Sequence, residues 1–236
     1  MTKEERQAIV EEWIKVAKGR LKVVVQVGSL HLKESKELSF LLKDSLIAYC
    51  KGVASEAPTL PFYYYHLPMF TGVTLNMEDF MRKAKTQIPS LRGIKFSNQD
   101  LVDMIGVKYA GDFNILYGTD SQLLAGMTTG AHGAIGSNYN YMPKVFIRMF
   151  KDIEVNDLES ARKEQLKCQQ LRRIIVKYGN LLGGTVASMK PLMSLVGVDV
   201  GPPREPMREM TEEETKMFLN EVKELGVINS DSANFA

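Results

Sequence analysis

The chain has little cysteine: Cys50 and Cys168 are the two in 236 residues, with no C-x-x-C pair and no Cys/His cluster. That excludes a disulfide scaffold and leaves two thiols packed in helices of a reducing compartment as the expectation. Long apolar runs are missing too. Nothing approaches the ~18 consecutive apolar residues of a membrane span. Residues 2–20 are charged throughout, with neither the apolar core nor the small-residue cleavage site of a secretory leader. A cytosolic protein that does not bind membrane is therefore expected. Charge of one sign is lacking: 30 basic and 28 acidic side chains leave +2, which gives no electrostatic case for nucleic acid or an anionic membrane. There is no internal repeat and no low-complexity segment. What remains, 44% apolar and 25% charged residues, is the balance of an ordinary globular domain.

The pattern along the chain alternates strands and helices. Thr2 and Glu5 have capping-box spacing, and Ile9, Trp13 and Val16 follow at helical intervals. Residues 22–27 (KVVVQV) are nearly all apolar or β-branched, as in a strand buried on both faces. Residues 31–57 read as one long helix. Further strands are expected at 61–65, 91–96, 113–117 and 133–136, with helices at 77–86, 99–105 and 121–127 between them. From Pro143 the chain reads as helical: 143–150, a long helix capped by Asn156 or Asp157 and stopped at Gly179-Asn180, 186–195, and a last helix capped by Thr211 and Glu214. Residues 227–236 read as a frayed tail. This indicates a parallel α/β sheet over residues 1–141, with a helical region, 142–236, packed on it in a single domain. The basic residues of the long helix (Arg162, Lys163, Lys167, Arg172, Arg173, Lys177) read as a solvated face, because no aromatics are interleaved.

Ligand sites of α/β folds lie at the carboxyl ends of parallel strands, and three such ends carry chemistry. In Leu91-Arg92-Gly93-Ile94-Lys95-Phe96-Ser97, side chains alternate, so Ile94 and Phe96 share one face and Gly93, Lys95 and Ser97 the other. Inside a barrel such a lysine is desolvated, which favours the neutral amine that attacks a ketone. A solvated lysine at a strand end fits the same pattern. In Phe62-Tyr63-Tyr64-Tyr65-His66-Leu67-Pro68, Tyr65 closes the strand, where a phenol can relay a proton; core filling is the alternative, and His66 reads as a rim or packing residue. In Tyr117-Gly118-Thr119-Asp120, Asp120 either binds sugar hydroxyls or caps the next helix.

Taken in order, Tyr64-Tyr65-His66-Leu67-Pro68 with Thr71-Gly72, Gly93-Ile94-Lys95-Phe96-Ser97, Gly118-Thr119-Asp120, Gly133-Ala134-Ile135-Gly136-Ser137-Asn138-Tyr139-Asn140 and Gly201-Pro202-Pro203 resemble the N-acetylneuraminate lyase (sialic acid aldolase) family. This is the vertebrate-like branch of the pyruvate-dependent class I aldolases, which also include dihydrodipicolinate synthase. The resemblance runs from about residue 2 to about residue 225. It implies an α/β fold, a (β/α)8 TIM barrel with C-terminal helices, assembled as a homotetramer. It implies reversible cleavage of N-acetylneuraminate to N-acetylmannosamine and pyruvate, with no metal and no diffusible cofactor. By resemblance Lys95 is the Schiff-base lysine and Tyr65 the proton carrier. Ser97, Gly118, Asp120 and Ser137 match positions that contact the sugar part, and Ser121 stands where the family usually has a glutamate.

The sequence also departs from the family. The resemblance aligns residues 2–20 with a helix that follows the second strand, so the Gly-Thr-Thr-Gly-Glu-like loop that holds the pyruvate carboxylate has no counterpart among these residues. Between Gly28 and Pro61 stand 32 residues, room for one crossover where the family has helix, strand and helix. Five strands of eight are therefore expected, an incomplete barrel with open edges. Two further readings follow: a catalytically impaired short form that partners an intact lyase, and another pyruvate aldolase of the dihydrodipicolinate synthase type.

Overall fold

A computed structural model describes residues 1–28 and 43–228. Helix α1 (Lys3–Ala17) carries the expected capping box: the Thr2 hydroxyl accepts from Glu5 N at 3.2 Å, and Glu5 accepts in return from Thr2 N at 2.7 Å. Helix α2 (Lys43–Ser55) covers the second half of the long helix expected at 31–57 and ends two residues earlier; residues 31–42 lie outside the described residues.

The heart of the fold is a four-stranded parallel sheet in the order β1 (Phe62–His66), β2 (Leu91–Phe96), β3 (Asn114–Tyr117) and β4 (Gly133–Ala134). After β1, Pro68 starts the one-turn α3 (Pro68–Thr71), which Gly72 ends at φ 71°, a left-handed conformation that glycine adopts without strain. Helix α4 (Met77–Gln87) then crosses to β2 and α5 (Leu101–Ala110) to β3, capped by the side chains of Asn76 and Asp100. A 3-10 turn (Asp120–Gln122) and α6 (Leu123–Thr128) lead to β4.

Alternation decides which face is which. Ile94, Phe96, Ile115 and Tyr117 point outward and are fully buried under Met77, Phe80, Met81 and Met104 of α4 and α5. Burying each such side chain contributes about 2 kcal/mol. The opposite face carries Tyr63, Tyr65, Lys95 and Leu116, half-buried and facing the open interior.

Four strands stand among the described residues where five were expected. Residues 22–28 form no strand, and Val24 and Val27 are 68% and 60% exposed. β-branching alone does not make a strand; a ladder partner does, and none of the described residues offers one. Among the described residues the sheet therefore has β1 and β4 as its edges.

Helices α7 (Pro143–Glu154), α8 (Leu158–Leu182), α9 (Thr185–Ser194) and α10 (Glu212–Glu224) complete the chain. Asp157 caps α8 as one of the two expected residues. However, α8 runs through Gly179 and ends at Gly183, φ 82°. Gly179 serves close packing instead: a methyl group there would lie 2.8 Å from the Thr185 Cα of α9. Val227 and Ile228, the first residues of the frayed tail expected at 227–236, are buried instead; residues 229–236 lie outside the described part.

Candidate active site

Parallel register sets the site. Tyr65 pairs with Lys95 across β1 and β2, and Lys95 pairs with Leu116 across β2 and β3, so the three side chains share the interior face. Lys95 Nζ sits 4.0 Å from the centroid of the Tyr65 ring. The ladder continues one residue past each strand: Ser97 N donates to the His66 carbonyl at 2.9 Å and Gly118 N to the Phe96 carbonyl at 2.8 Å. Ser97 and Gly118 are thereby level with the lysine's end. A methyl group at Gly118 would lie 1.9 Å from Ser97 Oγ and 3.3 Å from Lys95 Cε, so only glycine leaves the lysine its place. Below Lys95, Gly93 is equally constrained: an added methyl would meet the Asn114 carbonyl oxygen at 2.1 Å and Tyr63 Cε1 at 2.6 Å. The Tyr63 hydroxyl donates to Asn114 Oδ1 at 3.2 Å and forms a polar floor.

Asp120 does not cap the helix that follows it. Its Oδ2 accepts from Asn138 N at 2.9 Å, tying the loop after β3 to the loop after β4. Gly136 makes this possible, because a methyl there would lie 2.3 Å from Asp120 Cγ. Burial raises the Asp120 carboxyl above its ordinary range. The Asn138 N–H and the charges of Lys95 and Arg172 pull the other way. Tyr139, which sequence reasoning passed over as a functional residue, lies against this carboxyl. Burial first, and the Asp120 charge second, push its phenol upward. Ser97 Oγ is buried without a hydrogen bond among the described residues, while the Tyr139 hydroxyl and the Asp120 carboxyl face one another. Buried polar atoms are normally paired, so Ser97 Oγ is left to take a partner.

The remaining expected residues are spread wider. Ser137 is exposed at the start of the 3-10 turn Asn138–Asn140. Ser121 faces helix α8, its carbonyl accepting from Gln169 Nε2 at 3.2 Å. His66 lies on the other face, 1% exposed, with its ring 5.1 Å from that of Phe96. It is a packing residue rather than a rim residue, and burial takes its pKa down to about 4. Cys50 and Cys168 are free and buried, their thiols pushed up to about 12 by burial. Among the described residues no group of three His, Cys, Asp or Glu side chains is placed to hold a metal ion, and no helix is long and apolar enough to cross a membrane.

A lysine beside an aromatic ring at the carboxyl ends of parallel strands, walled by glycines and by buried hydroxyl and carboxyl groups, is an arrangement that suits an aldolase of the β/α-barrel type. The chain belongs to the dihydrodipicolinate synthetase family, which residues 41–225 match. Among its relatives, the N-acetylneuraminate lyase of Rattus norvegicus is 37% identical, covering 95% of this chain and 77% of its own length. N-acetylneuraminate lyase A of Xenopus laevis is 40% identical over 86% of the chain and 73% of its own length. The solved structure of Proteus mirabilis N-acetylneuraminate lyase superposes with a TM-score of 0.86 at 29% identity, covering 97% of this chain and 83% of that one. The rat alignment extends over 250 positions, more than the 236 residues available, so the relative carries residues within the matched span that this chain lacks.

Proposed function

We propose that the chain carries the site of an N-acetylneuraminate lyase, which cleaves N-acetylneuraminate reversibly to N-acetylmannosamine and pyruvate. The observation that supports it most is the pairing of Lys95 with Tyr65 at the mouth of the sheet, ringed by Ser97, Gly118 and Asp120.

In this reading the Lys95 amine attacks the ketone carbon of the open-chain sugar acid, and loss of water gives the protonated imine. The substrate hydroxyl β to the imine gives its proton to the Tyr65 oxygen as the phenol passes its own proton to the substrate carboxylate, so Tyr65 acts as a relay. The carbon–carbon bond next to it breaks, its electron pair passes into the imine, and an aldehyde leaves. Reprotonation of the resulting enamine and hydrolysis return pyruvate and free Lys95. The imine is the electron sink, so these steps call on neither a metal nor a diffusible cofactor. Ser97, Gly118, Asp120 and Ser137 line the path of the sugar part, and Ser121 its far end. A homotetramer in the cytoplasm belongs to the same proposal.

Cleavage of N-acetylneuraminate by the purified chain, followed as pyruvate release, tests this directly. Lys95→Arg is expected to abolish it. Release confined to non-sialic 2-keto acids would transfer the assignment to the dihydrodipicolinate synthase type. The open edges of the sheet and the longer span of the rat relative favour one second reading: a short form that pairs with an intact lyase. Full turnover by the isolated chain would refute that second reading.

A further inference from the structure

Helix α8 turns one face toward the loop after β3. Arg162, Gln165, Gln169, Arg172 and Val176 recur three or four residues apart and form a single stripe. Gln165 Nε2 donates to the Asp120 carbonyl at 3.2 Å, and its Oε1 accepts from Leu124 N at 2.9 Å. With the bond from Gln169 to Ser121, these contacts fix the helix and the turn as two walls. Between them run two grooves that share Ser121 and Gln122, about 380 Å³ toward Arg162 and about 570 Å³ toward Arg172 and Arg173.

The charge on this helix is uneven. Lys163, Lys167 and Lys177 are neutralised by Glu159, Glu164 and Glu221. Arg162, Arg172 and Arg173 form no ion pair among the described residues, and all three line the grooves. The basic residues do lie on a largely solvated face, as the sequence indicates, but they differ in pairing. The lysines are paired, and the arginines stand over grooves that begin one residue from Asp120. The Arg172 charge already acts on the Asp120 carboxyl. A guanidinium presents a planar fork that matches two oxygens of a phosphate, which an ammonium does not.

We propose that this groove is an oxyanion subsite. Arg172 and Arg173 take a phosphate carried on the end of the substrate remote from the bond broken over Lys95. The inference rests on the aldolase reading, which places the reacting carbons over β1 and β2 and runs the rest of the substrate past Asp120 toward Ser121.

Titration of the full chain with N-acetylmannosamine 6-phosphate, followed by phosphorus NMR, tests it beside two references, inorganic phosphate and unphosphorylated N-acetylmannosamine followed by calorimetry. The sugar phosphate is expected to bind about tenfold more tightly than either reference. Added salt is expected to weaken that binding, and Arg172→Gln with Arg173→Gln to remove the advantage. Equal affinity for inorganic phosphate and sugar phosphate marks a free-anion site and overturns the proposal. Equal affinity of wild type and the double variant overturns it as well. Should the glutamine pair fail to fold, Arg172→Lys with Arg173→Lys and the salt series on the wild-type chain decide. A salt-insensitive affinity contradicts the subsite. None of these titrations requires turnover. A missing pyruvate adduct on Lys95 therefore strikes the aldolase reading, and a missing phosphate preference beside an intact adduct strikes the subsite.

Discussion

The face of Lys95 was legible from period-2 alternation, because Ile94 and Phe96 had to be buried and that turned Lys95 to the other side, whereas alternation fitted a solvated lysine equally and the role came from the family resemblance. The partner of Lys95 was not legible, since register across β1 and β2 depends on crossover geometry that no local pattern encodes. Asp120 shows the same limit: the residue type suits a helix cap, and only the approach of Gly136 and Asn138 reveals the contact between two loops. The roles proposed here separate by substitution. Tyr65→Phe is expected to lower turnover of N-acetylneuraminate by about 10²- to 10⁴-fold while pyruvate still forms its adduct with Lys95, read by mass spectrometry. Gly118→Ala displaces Ser97 and crowds Lys95, so activity is expected to fall about tenfold with the melting temperature little changed. His66 supplies a pH signature. The folded chain keeps it neutral down to about pH 4, whereas the unfolded chain protonates it near its ordinary 6.5. Its contribution is complete above pH 6.5 and declines toward pH 4 by up to about 3 kcal/mol. Asp103 next to it, raised by burial, works in the opposite direction as it protonates. Urea unfolding between pH 7 and pH 4 is expected to show the decline, and His66→Gln to flatten it.

Elements with their own start and stop signals were the easiest to read. The capping boxes at Thr2 and Thr211 stand as their spacing indicated, and Phe218 of α10 packs edge-on against Tyr178 of α8 at 5.1 Å. Thr211→Ala is expected to cost about 1 kcal/mol in equilibrium unfolding. Two readings failed for opposite reasons. The valine run at 22–27 has strand propensity without a ladder to join, so tertiary context overrode it. Gly179 has the sequence look of a helix stop, yet tight packing on α9 keeps it inside the helix. Gly179→Ala is accordingly expected to destabilise the chain by about 1–3 kcal/mol, although alanine is the better helix former, because the backbone of Thr185 cannot retreat. A stabilising outcome in urea titration would contradict that close contact.

At the scale of the whole molecule, the count of strands carried more information than the length. A chain of 236 residues is near the ~250 of a complete eight-stranded barrel, yet among the described residues no strand follows Ala134 and the elements from Pro143 onward are helices. The helices bury the outer face of the sheet, and among the described residues the interior face stays half open with β1 and β4 as edges. Such edges invite pairing with another chain. What the open sheet retains is the one arrangement the chemistry needs first, Lys95 against Tyr65 at the ends of adjacent strands. The role of Lys95 is therefore tested most directly by incubating the folded 236-residue chain with pyruvate, reducing with borohydride and mapping the product by peptide mass spectrometry. A single reduced pyruvate adduct on Lys95 is expected, absent in Lys95→Arg and retained in Tyr65→Phe. A chain shown by circular dichroism to be folded that takes no adduct, or takes it on another lysine, would contradict the account.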